Sequence, residues 1–379
     1  MKLMGKIKVS FISFLAYPLF NGKINAVFGG AEVDLYNLAR KLSESGRYDI
    51  TFYVGDYGQE PVERYEGIKV RKVRYMNLDT YKSGFSKVLR QLSIIREMAA
   101  MDSHVCMVEA YNEMLGWAAL LPGKLRNTRL IFRLAHDLDT DFADAKGKGP
   151  LYYNLYKYGI NKAHVLISQT DRQKKMLAEN LGLDSRVIKN GFFINDKISL
   201  SDKKYILWIA RAQDWKRPDI FLQLAERLPE ESFVMVMPGE NELQARIKQR
   251  AGALANLRFV DYVPFAEVQS YYDRAKLFVN TSEYEGFPNA FVQACLGKTP
   301  ILSFNVNPDG FIETNGLGFH CEDDLEKAVA FIRGFDGAEL ARLGENAGGY
   351  VAANHDIGSI SKVYEEIIGN LTTSTGHGD

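Results

Sequence analysis

The residues best suited to chemistry lie where apolar runs give way to helical patterns. The densest group is Ser282-Glu283-Tyr284-Glu285-Gly286-Phe287-Pro288-Asn289-Ala290, directly after the strand-like run Leu277-Phe278-Val279-Asn280. Pro288 or Asn289 suits the first turn of a helix, so Glu285 and Gly286 fall on the turn that precedes it. A carboxylate there can accept hydrogen bonds from hydroxyls, and the free N–H groups of the helix start attract an anion. An acidic residue is also an ordinary cap at such a position. Gln293 follows Glu285 by eight residues, about two helical turns. A second group, Arg211 and Lys216, follows the run Tyr205-Ile206-Leu207-Trp208-Ile209-Ala210 and precedes Pro218. Cations beyond a parallel strand can hold a phosphate, although spacing alone serves solvated loop charges equally well. Gly29-Gly30 opens a third helix and permits close backbone approach, but it is not the G-x-G-x-x-G of a dinucleotide site.

His136 closes the run Ile131 to Leu134 and precedes Asp137-Leu138-Asp139-Thr140-Asp141. A lone histidine at a strand end is more often structural than catalytic. The aspartates do not make a calcium loop, which needs Gly at position 6 and Glu at position 12, where Lys148 stands. Asp139 and Asp141 read best as solvated residues capping a helix, and no metal ligands are assigned.

These segments must be held by an alternating α/β chain. The 379 residues are 46% hydrophobic and 25% charged, values of a globular protein of about two domains. Forty-seven basic residues balance 47 acidic ones, which argues against a nucleic-acid binder. Cys106, Cys295 and Cys321 are too sparse for a disulfide framework or a zinc site, which suits a reducing, cytoplasmic setting. No run is long enough to span a membrane. Lys2, Lys6 and Lys8 before an apolar stretch mimic a secretory signal, yet Lys8 to Phe14 reads better as a first buried strand.

Further strands are expected at Ile50–Val54, Val105–Val108, Arg129–Leu134, Ala163–Ser168, Ser232–Met237, Leu257–Val260 and Pro300–Phe304. Helices follow Gly30, through Leu35, Leu38, Ala39 and Leu42, and run from Thr170 to Leu181. The polar stretch 195–204 reads as a linker. The expected fold class is α/β with two Rossmann-like doubly wound domains, 1–195 and 196–360, and a helix end and tail over 361–379 with the option of packing back toward the first domain. Thr372 to Asp379 has the composition of a disordered end.

The ordered set of motifs resembles the retaining glycosyltransferases of family 4, the glycosyltransferase group 1 proteins. Glu285-Gly286-Phe287-Pro288-Asn289 with Gln293 is similar to their E-x7-E signature, with Gln in place of the second Glu. The Arg211–Lys216 segment resembles their donor-phosphate clamp, Gly29-Gly30-Ala31-Glu32 their glycine loop, and Val187-Ile188-Lys189-Asn190-Gly191 their P-N-G segment. The resemblance implies a GT-B fold, two Rossmann-like domains across a cleft, and a nucleotide-diphosphate sugar as donor with no cofactor or catalytic metal. Arg211 and Lys216 would then bind the diphosphate and Glu285 the sugar hydroxyls. Backbone N–H groups of Phe287 to Ala290 would contact sugar and phosphate, and Gln293 the ribose. Tyr262-Val263 would approach the base, and His136 the transferred sugar.

The first domain would take a glycan or lipid-linked acceptor. In the stretch Lys82 to Ala100, Phe85, Val88, Leu89, Leu92 and Ile95 share one helical face with Lys87, Arg90 and Arg96 elsewhere. Packing on its own sheet is the favoured reading, and peripheral contact with an anionic membrane the alternative. A nucleotide-sugar epimerase or a non-catalytic nucleotide-sugar binder would carry the same donor motifs.

Overall fold

Nearly every apolar run becomes a parallel strand, because a strand covered by helices on both faces needs no polar alternation. Val105–Glu109 is buried at all five positions. The computed structural model describes residues 5–24, 26, 28–74, 84–109, 112–121, 127–195 and 197–373. Two units result. One comprises Met1–Phe193 with Ile357–Asp379, the other Ile194–Asp356. The tail thus joins the first unit from Ile357 onward, not from 361. The reason is local: Ile357 donates its N–H to the Phe192 carbonyl at 2.9 Å, and its helix, Ile357–Thr373, buries Ile360, Tyr364, Ile367 and Ile368. Residues 374–379 of the expected disordered end lie outside the described residues.

The first unit holds β1 (Ile7–Ile12), β2 (Tyr48–Val54), β3 (Val62–Tyr65), β4 (Ile68–Lys72), β5 (Val105–Glu109), β6 (Arg129–Arg133), β7 (Val165–Ser168) and β8 (Arg186–Val187). Their order is β3-β4-β2-β1-β5-β6-β7-β8, all parallel except the β3–β4 hairpin. The hairpin was not expected from sequence. Its turn places Glu66 and Gly67 at positive φ, and β3, V-E-R-Y, is a short polar edge strand. The second unit holds β9 (Tyr205–Ile209), β10 (Phe233–Val236), β11 (Leu257–Val260), β12 (Ala275–Asn280), β13 (Ile301–Ser303) and β14 (Gly318–His320) in the order β11-β10-β9-β12-β13-β14. Numbered from its own first strand this is 3-2-1-4-5-6, the doubly wound Rossmann order, whose switch point lies between the first and fourth strands. Here that is the crevice between β9 and β12. Trp208, Phe221, Phe233, Leu277 and Ile247 fill the core beneath it.

Helix boundaries follow their capping residues. Thr170 accepts the Gln173 N–H at 3.1 Å to start Asp171–Leu181, and Gly182, at φ +67°, ends it. Pro218 opens Pro218–Arg227 after Arg217 at φ +47°. Helix Gly84–Ala99 differs from the favoured expectation. It packs through Ile94 and Met98, while Val88 and Leu92 of the named stripe are exposed. Lys82 lies outside the described residues, as do the side chains of Phe85 and Lys87. Among the described residues no helix is long and apolar enough to cross a membrane.

Helices Asn112–Leu120 and Pro150–Lys162 touch through glycines. A Cβ at Gly116 would stand 2.3 Å from the Leu155 carbonyl oxygen, and one at Gly159 2.5 Å from the Gly116 nitrogen. Gly116→Ala is therefore expected to destabilise the protein by about 1–3 kcal/mol, the usual cost of forcing extra volume into a packed contact, read as a fall in the urea midpoint. An unchanged midpoint would show that the two helices separate freely.

Candidate functional site

The loops leaving β9 and β12 meet at the switch point of the second unit. Three hydrogen bonds join them and a fourth ties the β12 loop to the core strand β9. Thr281 Oγ1 donates to the Lys216 carbonyl at 2.6 Å and accepts from Trp208 Nε1 at 2.8 Å. The Glu283 N–H donates to the Trp215 carbonyl at 2.8 Å, and Arg217 Nε to the Thr281 carbonyl at 2.7 Å. Arg217 is held in turn by Asp323 at 2.7 Å. Its left-handed backbone sharply ends the 3-10 turn Asp214–Lys216 and leaves Lys216 facing the β12 loop.

Lys216 Nζ lies 2.5 Å from Glu285 Oε1, with the two side chains 12% and 13% exposed. The same oxygen accepts from Ser282 Oγ at 2.8 Å and from Asn280 Nδ2 at 3.5 Å. Lys216 also sits 4.0 Å above the Trp215 ring. Burial, above all, and the nearby Arg211 charge push its pKa below the ordinary 10.5, while Glu285 pulls it back. Among the described residues the half-buried Arg211 side chain makes no ion pair or hydrogen bond. One cation is thus pinned and one is uncommitted, both beyond the carboxyl end of β9.

Gly286 follows Glu285, and Pro288 caps helix Asn289–Leu296. The half-buried Phe287 ring stacks on His355 at 5.6 Å and meets Phe311 edge-on at 5.3 Å. Asn289, Ala290 and Gln293 are half-buried on that helix. The backbone of Gln293 accepts from Gln269 at 3.1 Å, while its side chain makes no hydrogen bond among the described residues. Tyr262 and Val263 follow β11, Tyr262 half-buried and Val263 buried. Ser282, Asn280 and the Trp215–Tyr284 stack, at 5.2 Å and 13°, are residues of the site to which the sequence reading assigned no role. Their signal was adjacency to Lys216 and Glu285 on loops that the strand order brings together.

The remaining named residues belong to the first unit. Gly29 caps helix Gly30–Glu44, and its N–H donates to Glu32 Oε2 at 2.7 Å. That donor therefore already has a carboxylate. His136 is exposed after β6. Asp139 is not solvated as expected; it is buried, and its Oδ2 accepts the N–H groups of Ala135 at 2.8 Å and His136 at 3.0 Å. The three-residue spacing is that of a capping carboxylate and was readable as such. Asp137 instead lies 3.5 Å from Arg172. No group of three or more potential metal ligands occurs among the described residues.

Beneath this loop lies a buried ion pair. Glu109 and Arg133, the last residues of β5 and β6, are register partners, with Arg133 Nε 3.3 Å from Glu109 Oε2. Arg133 also donates to the Ile188 carbonyl and the Tyr364 hydroxyl, both at 3.0 Å, and to Asn190 Oδ1. This accounts physically for the Lys189-Asn190-Gly191 segment. Asn190 satisfies the arginine, and a Cβ at Gly191 would stand 2.4 Å from Ile357 Cδ1 of the tail helix.

Residues 28–194 match Glycosyltransferase Family 4 and residues 192–336 match Glycosyl transferases group 1. The chain belongs to this glycosyltransferase family. Solved structures share its fold at low identity. Sucrose-phosphate synthase from Thermosynechococcus elongatus is 15% identical, with a TM-score of 0.76 over 97% of this chain and 100% of that one. The Anabaena HepE protein in complex with UDP and glucose is 15% identical, with a TM-score of 0.69 over 96% and 100%. An S. aureus TarM variant in complex with Fondaparinux, alpha-GlcNAc-glycerol and UDP is 13% identical, with a TM-score of 0.71 over 96% and 99%. No curated sequence is significantly similar.

Because Lys216 and Glu285 are mutually satisfied, their substitutions should not add. Lys216→Met and Glu285→Gln are each expected to destabilise the protein, and the double variant to lose less than their sum by about 1–3 kcal/mol. Urea unfolding of the four proteins measures the coupling; strict additivity would mean that the pair is not formed in solution.

Proposed function

We propose that this glycosyltransferase moves a sugar from a nucleoside-diphosphate sugar to a glycan or lipid-linked acceptor, in polysaccharide or glycoconjugate synthesis. It retains anomeric configuration and needs no catalytic metal. The observation that carries the reading is the pairing of Lys216 with Glu285 beside the uncommitted Arg211, all at the switch point of the second sheet. Departure of the sugar leaves negative charge on a diphosphate and positive character on the anomeric carbon. Arg211, Lys216 and the N-terminus of helix Asn289–Leu296 supply the compensating charge for the phosphates. Glu285 is suited to accept sugar hydroxyls, with the backbone from Gly286 through Ala290 beside it. Gln293 hydrogen-bonds the ribose without the charge assistance of a carboxylate, and Tyr262 and Val263 border the base.

In the first unit, His136 is assigned to the transferred sugar and Gly29-Gly30 to donor binding on the family resemblance. The leaving phosphate takes the acceptor proton. Three free, buried cysteines accord with a cytoplasmic setting. A non-catalytic nucleotide-sugar binder is the second reading, favoured by Gln293. It predicts binding without transfer or hydrolysis.

A thermal-shift panel of UDP, GDP, ADP and their sugars is expected to give stabilisation by one nucleotide class, and none at all would refute the reading. With the matching donor, Arg211→Ala and Lys216→Ala should each reduce turnover at least a hundredfold, a barrier increase of about 3–4 kcal/mol, with melting still cooperative. His136→Ala should also lose most of its rate. Rates close to wild type in both clamp variants would refute the clamp. NMR of the product checks retention.

The lowered pKa of Lys216 adds a pH signature. The diphosphate needs the ammonium form, which is lost as pH rises through that pKa. The alkaline fall in kcat/KM should therefore begin below the range of an ordinary lysine, and Lys216→Arg should remove it. An alkaline limb unchanged in Lys216→Arg would assign it to another group.

A further inference from the structure

Among the described residues the second unit leaves one large hydrophobic side chain exposed, Tyr284, at 56%. A lone tyrosine on a surface is ordinary. This one differs in being fixed and in standing next to Glu285. Its ring lies against the half-buried Trp215 ring, with centroids 5.2 Å apart and planes 13° from parallel. The backbone before it is held twice: the Glu283 N–H donates to the Trp215 carbonyl at 2.8 Å, and Asn305 donates to the Glu283 carbonyl. After it, Glu285 is anchored by Lys216 and Ser282. A side chain with two torsions, stacked and tied at both neighbours, has little freedom left to lose when a ligand covers it. The loop thus presents a flat, preorganised aromatic face to solvent at the switch point of the sheet.

The polar groups beside that face are acceptors without donors. Segment 282–288 carries two glutamates and no basic residue. The exposed Glu283 carboxylate makes no hydrogen bond or ion pair among the described residues. Glu285 uses Oε1 for Lys216, Ser282 and Asn280, while its Oε2 makes no hydrogen bond among them. Lys216 and Arg217, which follow Trp215 in the chain, are already paired with Glu285 and Asp323. A ligand suited to these groups has a flat face of C–H bonds polarised positive, to meet the negative face of the ring. It also has hydroxyls at its rim to donate to carboxylates. A neutral pyranose has both. A nucleobase would stack as well, but it is tethered to phosphates, which the two carboxylates repel. A cation would suit the ring and the carboxylates, but Lys216 already serves both, 4.0 Å from the Trp215 ring centre and bonded to Glu285.

We propose that the Trp215–Tyr284 stack, flanked by Glu283 and Glu285, is a binding platform for a neutral pyranose ring. The proposal rests on the sugar-transfer reading and adds to it a contact that grips the face of the ring and not its hydroxyls alone. The ring belongs to the donor sugar or to the saccharide that receives it, and two measurements separate these sources. Saturation-transfer NMR with methyl pyranosides of glucose, galactose, mannose and N-acetylglucosamine reads the receiving saccharide. Titration of the thermal shift with nucleoside diphosphates and with their sugars reads the donor. Tyr284→Ala is compared with Tyr284→Phe, which keeps the ring, and both should melt as wild type because the side chain is exposed.

Tyr284→Ala is expected to weaken one of the two quantities at least about tenfold, and Tyr284→Phe to stay within about twofold of wild type. Loss of the pyranoside signal assigns the ring to the receiving saccharide. Loss of the extra affinity of the nucleotide sugar over the free nucleotide assigns it to the donor. Glu283→Gln should weaken the same quantity to a smaller degree. If no free nucleotide binds even the wild type, the donor reading fails, while the pyranoside arm still decides the platform. The proposal is overturned if the wild type binds no pyranoside and gains nothing from the sugar of the nucleotide, or if neither quantity changes in Tyr284→Ala. An equal loss in Tyr284→Phe overturns it too, since the hydroxyl and not the ring would then be the contact. So does an equal loss of free nucleotide in Tyr284→Ala, which would place a base on the ring, or displacement of the pyranoside by choline, which would give the ring to a cation.

Discussion

Burial disfavours a lysine's charge and a counter-charge offsets that penalty, and the loops at the switch point of the second unit are arranged around one such pair. Burial lowers the Lys216 pKa and Glu285 offsets that effect, while Glu285 in turn is steadied by Ser282 and Asn280. The two loops come from strands that are distant in sequence but adjacent in the sheet, β9 and β12. Thr281 joins them by bonding both the core Trp208 and the Lys216 backbone. The site is therefore set by the core, not by flexible loop residues, which is what transition-state stabilisation by fixed charges requires. An arriving diphosphate would compete with Glu285 for Lys216, and hydroxyls of the sugar would compete with Lys216 for Glu285. The resting pair holds both groups close to the positions in which ligand would use them.

The first unit answers a similar constraint with a deeper pair. Glu109 and Arg133 are essentially without solvent. Burial raises the Glu109 pKa well above the ordinary carboxylate value, against the lowering effect of Arg133. Such a pair contributes little net stability, because desolvation offsets most of the attraction, but breaking it is costly. Its value here is geometric. The guanidinium binds Glu109, the Ile188–Asn190 stretch and Tyr364 at once, so three segments far apart in sequence share one partner. Arg133 is also the last residue before the turn to His136. The histidine backbone is fixed from one side by this strand and from the other by Asp139.

How much of this was legible follows from the kind of signal each feature leaves. Buried parallel strands announce themselves as apolar runs, and those around the site were readable within a residue or two. The β3–β4 hairpin was not, since its strands are short, charged and at an edge, and their pairing depends on Glu66 and Gly67 adopting left-handed backbone. Arg211, Lys216 and Glu285 were legible as types at strand ends. The contact between Lys216 and Glu285 was not, because it depends on the 3-2-1-4-5-6 order, which no local pattern encodes. Helix Gly84–Ala99 misled for a different reason: it has apolar residues on two faces. The periodicity picked out Val88 and Leu92, whereas Ile94 and Met98 meet the core. A single-stripe reading cannot tell which of two apolar faces is covered.

The departure at Gln293 has an electrostatic consequence that the clamp makes definite. Arg211 and Lys216 bring two positive charges to the switch point and Glu285 removes one. With Gln293 neutral, the side chains leave a residual positive charge for a dianionic ligand. A glutamate at 293 would cancel that residue and oppose the phosphates across a partly desolvated distance, where screening is weak. In the proposed function the substitution would therefore shift binding from the ribose hydroxyls toward the phosphates. The half-buried amide can still donate and accept one hydrogen bond each with a diol, so in the proposed function the ribose contact would be weakened in strength but not in geometry. With less of the affinity resting on the ribose, that reading would leave discrimination among donors to the groups around Glu285, including the Trp215–Tyr284 stack.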